Sequence, residues 1–527
     1  LLRNDGGNRN NWLKLSLKAL ADNKSAIGTK LEVFAGALYQ KFEVRSSSGY
    51  LGQNAPEILV GLGDVKEAEI VRLLWPTGVL QDEVQLAAGR SHQVAENDRR
   101  GSSCPILFAW NGTRYEFISD LIGPGIVGHW VAPGERNTPD PTEYVKVAGE
   151  RLRARQGRLS LRLLEPMEEV VYLDQVRLIA VDHPSDVAVY PNERFASAPP
   201  FPDFQVIASR GARLPLGAWD ERGRDLRREL IARDRRYVTG FRSLSFRGFA
   251  ELHGIELELG AWDPAKPLRL LLHGFTDYFT ATSVYAAHQA GVRPIPPYLE
   301  AQDASGRWSR VADDLGFPAG LARTMVADLT GQLPAGTKRV RILTNLRIYW
   351  DQILLDSTPE ANLARLSEVP LAEATLEFRG YPREAHGDPP SDLRYVYEDV
   401  SRTGPYAQHA GNYTRYGDAL RLLSAADDRF VIFGSGDEVQ LEFDPSRLSP
   451  LPAGWARDYL FYADGFSKDM DFYAAHGYTV EPLPFHAMRG YPYKGADSYP
   501  LEEPYLQYQL RLNTRQVSGR GASSFRF

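Results

Sequence analysis

Between residues 12 and 84 apolar and polar side chains alternate with a period of two. WLKLSLKAL (12–20), TKLEVFA (29–35), YQKFEVRS (39–46) and AEIVRLLWP (68–76) each put every second residue on one face, the pattern of half-buried strands. Gly28, Gly36, Gly49, Gly61, Gly63 and Gly78 stand between or beside these runs, so the segment predicts a compact all-β module. RLSLRLLEPMEEVVYLDQVRLIAVD (158–182) predicts two strands about a turn at Glu165-Pro166. Five strand-like runs follow between about 245 and 357, from GIELELGAW to RVRILTNLRIYWDQILLD. RGRDLRRELIARDRR (222–236) predicts a helix near 224–234 with Leu226, Leu230 and Ile231 on one side and a solvated charged face on the other. Beyond 370 strands resume. DRFVIFGSGDEVQLEF (428–443) predicts a hairpin turning at Ser435-Gly436-Asp437, and RDYLFYADGF (457–466) another strand. YLDQV (172–176) echoes YWDQI (349–353). The echo is either chance or the trace of two sandwiches of similar plan.

Composition narrows the class. With 527 residues, 43% hydrophobic and 24% charged, the chain has material for about three or four cores. The formal net charge is −6 and arginines are scattered among acids, which excludes the concentrated positive charge that nucleic-acid binding needs. Tyr 26, Phe 23 and Trp 9 against Met 4, with Gly 46 and Pro 35, favour short strands and turns over long helices. The one cysteine, Cys104, rules out an intrachain disulfide and is expected to be a small buried apolar group. No run approaches the roughly 20 apolar residues that span a bilayer. The opening LLRNDGGNRNNW reads as the interior of a longer precursor.

The succession NDGGNRNNWLKLSL, SAIGTKLEVFAG, SSSGYLGQNAPEILVGLGD and VRLLWPTGVLQDEV resembles the ASPIC/UnbV module, found after FG-GAP propeller repeats in secreted proteins related to cartilage acidic protein. CPILFAWNGTRYEFISDLIG (104–123) resembles the extension that follows this module in large exported bacterial proteins. The resemblance implies an extracellular or cell-surface β protein with a propeller upstream, and it implies no reaction. Residues 245–357 resemble, by layout, a galactose-binding-like jelly roll. The expected organisation is all-β and multidomain. It comprises an ASPIC/UnbV module (1–98), a β-rich sandwich region (99–240), a galactose-binding-like sandwich (241–360) and a β-rich C-terminal region with a wrapping tail (361–527).

Chemistry-bearing motifs are few. GPGIVG (123–128) matches G-x-G-x-x-G, but Pro124 and the following HWVAPGERNTP forbid the helix a dinucleotide site requires. No P-loop, G-x-S-x-G or H-E-x-x-H is present, the ten histidines are dispersed, and His273 in LHGF reads as a core or loop residue. No catalytic or cofactor-binding residue is assigned. Calcium is the expected inorganic partner. Asp5, Asn8 and Asn10 lie among glycines in one oxygen-rich stretch, and Asp464, Asp469 and Asp471 form a second. Glycan contacts are expected at Trp262, Tyr298 and Trp308 with Asp303 and Arg307 as polar neighbours, whereas Trp350 reads as core. The tail YLQYQLRLNTRQVSGRGASSFRF (505–527) is expected to pack on its own body or to pair with a neighbouring subunit's sheet edge. The functional expectation is a non-enzymatic adhesion or scaffold protein binding surface proteins or glycans. The alternatives are a subunit of an extracellular filament and, because carboxylate pairs such as Asp313–Asp314 abound, a polysaccharide-active enzyme.

Overall fold

The alternation in the first 95 residues becomes two facing sheets. The computed structural model describes residues 6, 9–20, 23–76, 80–96, 104–359, 362–404, 406–495 and 497–518. One sheet has the order Ile58–Gly63, Asn11–Lys18, Arg90–Ala95, and the other Leu38–Glu43, Lys30–Ala35, Glu67–Leu74, Leu80–Ala87. Every second residue points inward, so Leu13, Leu15, Leu31, Val33, Val60 and Leu73 share one core with Trp75. The Trp75 indole N–H donates to Gln81 at 2.8 Å, and Arg72 makes a buried two-bond contact with Asp82, 2.8 Å at each arm.

The rest of the chain builds two sandwiches, one nested within the other. The outer sandwich faces the sheet Thr142–Val147, Trp455–Lys468, Val170–Pro184, Arg365–Val369 against Gly417–Asp418, Leu371–Phe378, Asp437–Phe443, Arg158–Leu164, Ile106–Trp110, Tyr115–Asp120. Its core joins Leu161, Leu163, Tyr172 and Leu178 to Phe433, Leu441 and Phe461. Between Pro184 and Arg365 the chain leaves to form the nested sandwich. There the sheet Gly217–Asp220, Phe249–Glu258, Arg339–Leu346, Tyr298–Gln302, Trp308–Ala312 covers Arg323–Asp328, Arg269–Thr276, Ile348–Asp356 around Phe249, Leu272, Ile342 and Trp350. Strands from before residue 185 and after residue 364 therefore share sheets, and the pairings cut across the four consecutive spans expected from the sequence.

The two sandwiches follow one plan. Eight nested strands in chain order correspond by sheet position to Leu371–Phe378, Asp437–Phe443 and Trp455–Lys468, then Ile106–Trp110, Tyr115–Asp120, Thr142–Val147, Arg158–Leu164 and Val170–Pro184. The outer copy is thus a circular permutation, with the nested copy inserted where its last strand would run into its first. Register agrees in detail. Gly465 pairs with Leu173 and Asp464 with Gln175, so Asp174 is bulged out. Gly274 pairs with Trp350 and His273 with Gln352, so Asp351 is bulged out. A Cβ on either glycine would strike the carbonyl oxygen of Tyr172 at 2.3 Å or of Tyr349 at 2.4 Å, which is why the bulge needs glycine in both. The echo YLDQV/YWDQI marks this shared bulge.

Several local expectations change. The helix expected over 224–234 is a single turn, Arg227–Leu230. Leu226 and Leu230 are buried as anticipated, but Ile231 bridges to Gln352 with its side chain exposed, so tertiary pairing overrides the helical period. The expected hairpin at 428–443 is a crossing: Val431–Gly434 pairs with Val170–Pro184 while Asp437–Phe443 joins the opposite sheet. Glu165–Glu169 makes a parallel crossing, tied to it by Gly436 N–H to the Glu165 carbonyl at 2.8 Å. Helices form at Ala281–Gln289, capped by Thr280 accepting from Ser283 N–H, and at Glu503–Arg511, with Pro504 in its first turn. Part of the tail read as alternating is thus helical. Arg515–Val517 pairs with Gly411–Tyr413 of the same chain, and residues 519–527 lie outside the described residues.

Candidate binding site

The segment 121–141 leaves the outer sandwich, crosses to the nested one and returns. GPGIVG lies here as loop, as its proline requires, with Ile126 bridging to Ser467. Gly128 takes a left-handed φ of 74°, and a Cβ there would meet Ala475 at 2.9 Å. Asn137 locks the excursion: its Oδ1 accepts the His129 N–H at 2.9 Å and its Nδ2 donates to the Ile126 carbonyl at 2.6 Å. Arg136 donates to the carbonyls of Gly128 and Tyr473. Trp130 is driven into the nested core, edge-on to Tyr285 at 5.2 Å.

A cavity of about 250 Å³ opens where this excursion meets the nested sandwich, walled by Trp130, Phe195, Tyr278, Phe279, Phe317 and His129. Cys104, buried as expected, also borders it. Behind the wall the Tyr278 hydroxyl donates to Asp469 at 2.8 Å, and Asp471 accepts from the hydroxyl and N–H of Thr282 at 2.8 and 3.1 Å. Burial, then the charge of Asp469, pushes Asp471 up to about 6. His129 is 7% exposed, and neither ring nitrogen has a hydrogen-bond partner. Burial lowers its pKa to about 4, so at neutral pH the ring is uncharged, with one donor and one acceptor.

A second cluster sits at the bulge of the outer sandwich. Asp174, wholly buried, accepts the Asp428 N–H at 2.8 Å. Asp428, at φ 64°, accepts the backbone N–H of His486 at 2.9 Å and lies 2.6 Å from its Nδ1. Nε2 of His486 lies 2.7 Å from Asp464, whose other oxygen accepts from the Tyr462 hydroxyl at 2.9 Å. Burial raises Asp174 to about 7 against two backbone hydrogen bonds. Burial opposes the His486 imidazolium, but its bonds to Asp428 and Asp464 outweigh that and raise it to about 10.

The ASPIC and UnbV family model matches residues 19–101. The chain carries an ASPIC/UnbV domain. The matched span begins after the first strand and takes in the remaining six strands of the N-terminal module, so the cavity and the Asp–His cluster of this ASPIC/UnbV-domain protein both lie outside it. No curated protein matches the chain.

The residues singled out from sequence are dispersed. Asp5 and Asn8 lie outside the described residues, and Asn10 is an exposed residue beside the first strand. Asp464 stands within the strand Trp455–Lys468 and serves His486, whereas Asp469 and Asp471 lie beyond its end and serve Tyr278 and Thr282, so the oxygen-rich stretch is divided between two places. Among the described residues the one group whose His and acidic ligand atoms converge is Asp174, Asp428 and His486, within 4.8 Å of one another. Trp262 packs on the nested core and donates to the Thr337 carbonyl at 2.7 Å. Tyr298 and Trp308 lie on the five-stranded sheet, each with a ring face taken by a guanidinium: Arg310 at 3.7 Å and Arg341 at 4.5 Å from the ring centres. A sugar stacking on those faces would displace contacts each worth about 0.5–1 kcal/mol. Asp303 caps its own turn, accepting from Ser305 and Arg307 N–H at 2.9 Å each, and Arg307 is exposed. Trp350 is buried core, as expected. His129 and His486 were not singled out from sequence, because each is a lone histidine in an irregular segment. The one available signal was the repeated Tyr-x-Asp-Gln, which marked Asp174.

Proposed function

We propose that this protein is a non-enzymatic scaffold or adhesion component working outside the cytoplasm, and that it holds the end of a glycan in the junction cavity. The observation that carries this reading is His129, an uncharged ring with two unused hydrogen-bonding nitrogens set in a wall of aromatic rings. A sugar presents an apolar C–H face to aromatic rings and hydroxyl groups that both donate and accept, which matches a neutral imidazole. Burying a polar ring without partners costs about 1–3 kcal/mol, a cost that a bound hydroxyl offsets. The earlier candidates on the five-stranded sheet have weaker support, because arginines already cover a face of Tyr298 and of Trp308. The extracytoplasmic setting rests on the resemblance of the N-terminal module.

The test is a glycan array probed with the full chain and with His129→Leu. Leucine fills the space without polar atoms, so thermal stability should be equal or slightly higher, while binding should fall at least tenfold. A wild type that binds no glycan, or a variant that binds as well as wild type, defeats the reading.

A further inference from the structure

We propose that Asp174, Asp428 and His486 form a binding site for one divalent transition-metal ion of the zinc class, with Asp464 orienting the imidazole from behind. Each ligand is placed by the fold. Asp174 is thrown out of its strand by the bulge opposite Gly465, is wholly buried, and keeps one oxygen, Oδ1, that accepts no hydrogen bond. Asp428 is fixed by its own N–H on Asp174 and by its left-handed backbone. The Nδ1 atom of His486 lies 2.6 Å from Asp428 and 3.6 Å from Oδ2 of Asp174, the oxygen that also accepts the Asp428 N–H, and ligand atoms of the three residues fall within 4.8 Å of one another. Ligands on a zinc ion stand about 3 Å apart, given bonds of about 2 Å. Swinging the exposed imidazole outward by less than about 1 Å therefore admits the ion.

The surroundings have the layout of a metal ligand's support. The chain Tyr462 hydroxyl, Asp464 carboxylate, His486 Nε2 runs at 2.9 and 2.7 Å. A carboxylate on the far nitrogen holds the Nε2 proton, so a metal that binds releases the Nδ1 proton now shared with Asp428 and takes the near nitrogen as its ligand. Two carboxylates neutralise a dication, and a nitrogen donor selects the zinc class over calcium, which takes oxygen ligands. Because His486 lies at the surface, the remaining coordination positions face water. The nested sandwich offers an internal contrast: at the places corresponding to Asp428 and Asp464 it has Arg235 and His273, and no metal-ligand group forms there among the described residues. This site is separate from the junction cavity and does not depend on the glycan reading.

The test is calorimetric titration of the metal-free full chain with zinc chloride at pH 7.5, with calcium chloride in parallel. One equivalent of zinc should bind and calcium should not compete. Asp174→Asn and His486→Gln should each lose the site, and Asp464→Asn should retain one equivalent with affinity reduced about 10–100-fold. His486 is at the rim, so His486→Gln keeps the test intact if Asp174→Asn folds poorly by circular dichroism. Zinc uptake below a fifth of an equivalent, uptake unchanged in His486→Gln, or calcium binding as tight as zinc overturns the proposal.

Discussion

In the nested sandwich the bulged Asp351 accepts the N–H of Arg235, a residue at φ 68°; in the outer sandwich the bulged Asp174 accepts the N–H of Asp428, at φ 64°. The loops match around these residues. Gln352 reaches the Ile231 carbonyl and Gln175 the Ser424 carbonyl, each at 3.2 Å. One-turn helices at Arg227–Leu230 and Leu420–Leu423 lead into them. The side chains then part company. Arg235 turns away to pair with Asp392, whereas Asp428 turns to His486. His273, opposite Gln352, bonds to Thr324 at 2.9 Å, and its counterpart Asp464 bonds to His486. The backbone device of bulge, glycine and left-handed residue fixes a corner without dictating its chemistry. Each copy fills that corner with its own charges.

Three experiments test how far the likeness extends. The largest effect is expected at the contact that the copies do not share. Arg323, on a nested strand, pairs with Asp120 and Glu143 of the outer sandwich, both 1% exposed on the side chain. Arg323→Met strands two buried carboxylates and should cost about 3–5 kcal/mol in urea unfolding. A cost below about 1 kcal/mol would show that the two sandwiches are not locked together there. Next, Gly274→Ala and Gly465→Ala should each cost about 2–4 kcal/mol and by similar amounts, since each Cβ meets a backbone carbonyl. Tolerance at one site alone would break the equivalence of the bulges. The smallest effect separates the copies by pH. Burial, then the nearby Arg233, lowers His273 to about 3. The unfolded chain takes up this proton near pH 6.5 and the folded chain does not, so the native state binds fewer protons and loses stability as pH falls from about 6.5 towards 3. Wild type should therefore lose up to about 2 kcal/mol relative to His273→Gln over that window. A difference that stays flat with pH would place the histidine in a more solvated setting.

The strands and the all-β class were legible because Leu13, Leu15, Leu161 and Leu163 alternate with polar neighbours along their strands. The N-terminal module was legible in its motifs too. What escaped was anything set by pairing across hundreds of residues. RFVIFGSGDEVQLEF carries the composition of a hairpin, yet its two halves find better partners in different sheets, and no local pattern distinguishes these outcomes. The charged run at 222–236 has helical spacing, but Ile231 and Arg235 are claimed by the bulge of a distant strand. The site residues were the least legible. His129 gains its character from burial, and a run of eight residues groups Asp464 with Asp469 and Asp471 without showing that the strand ends between them.

The permuted outer sandwich also imposes an order of assembly. Its halves meet through contacts such as Arg457 on Asp182, 275 residues apart, while every sheet strand of the nested sandwich falls between Gly217 and Asp356. As the polypeptide emerges from the ribosome the inner unit has all its sheet partners at hand, but Val170–Pro184 must wait for Trp455–Lys468 with apolar edges uncovered. Contacts this distant form slowly and leave sticky intermediates. The inner unit draws Pro184 and Arg365 towards each other and so shortens the loop that remains to be closed. The insertion thereby serves as a brace for the structure that surrounds it.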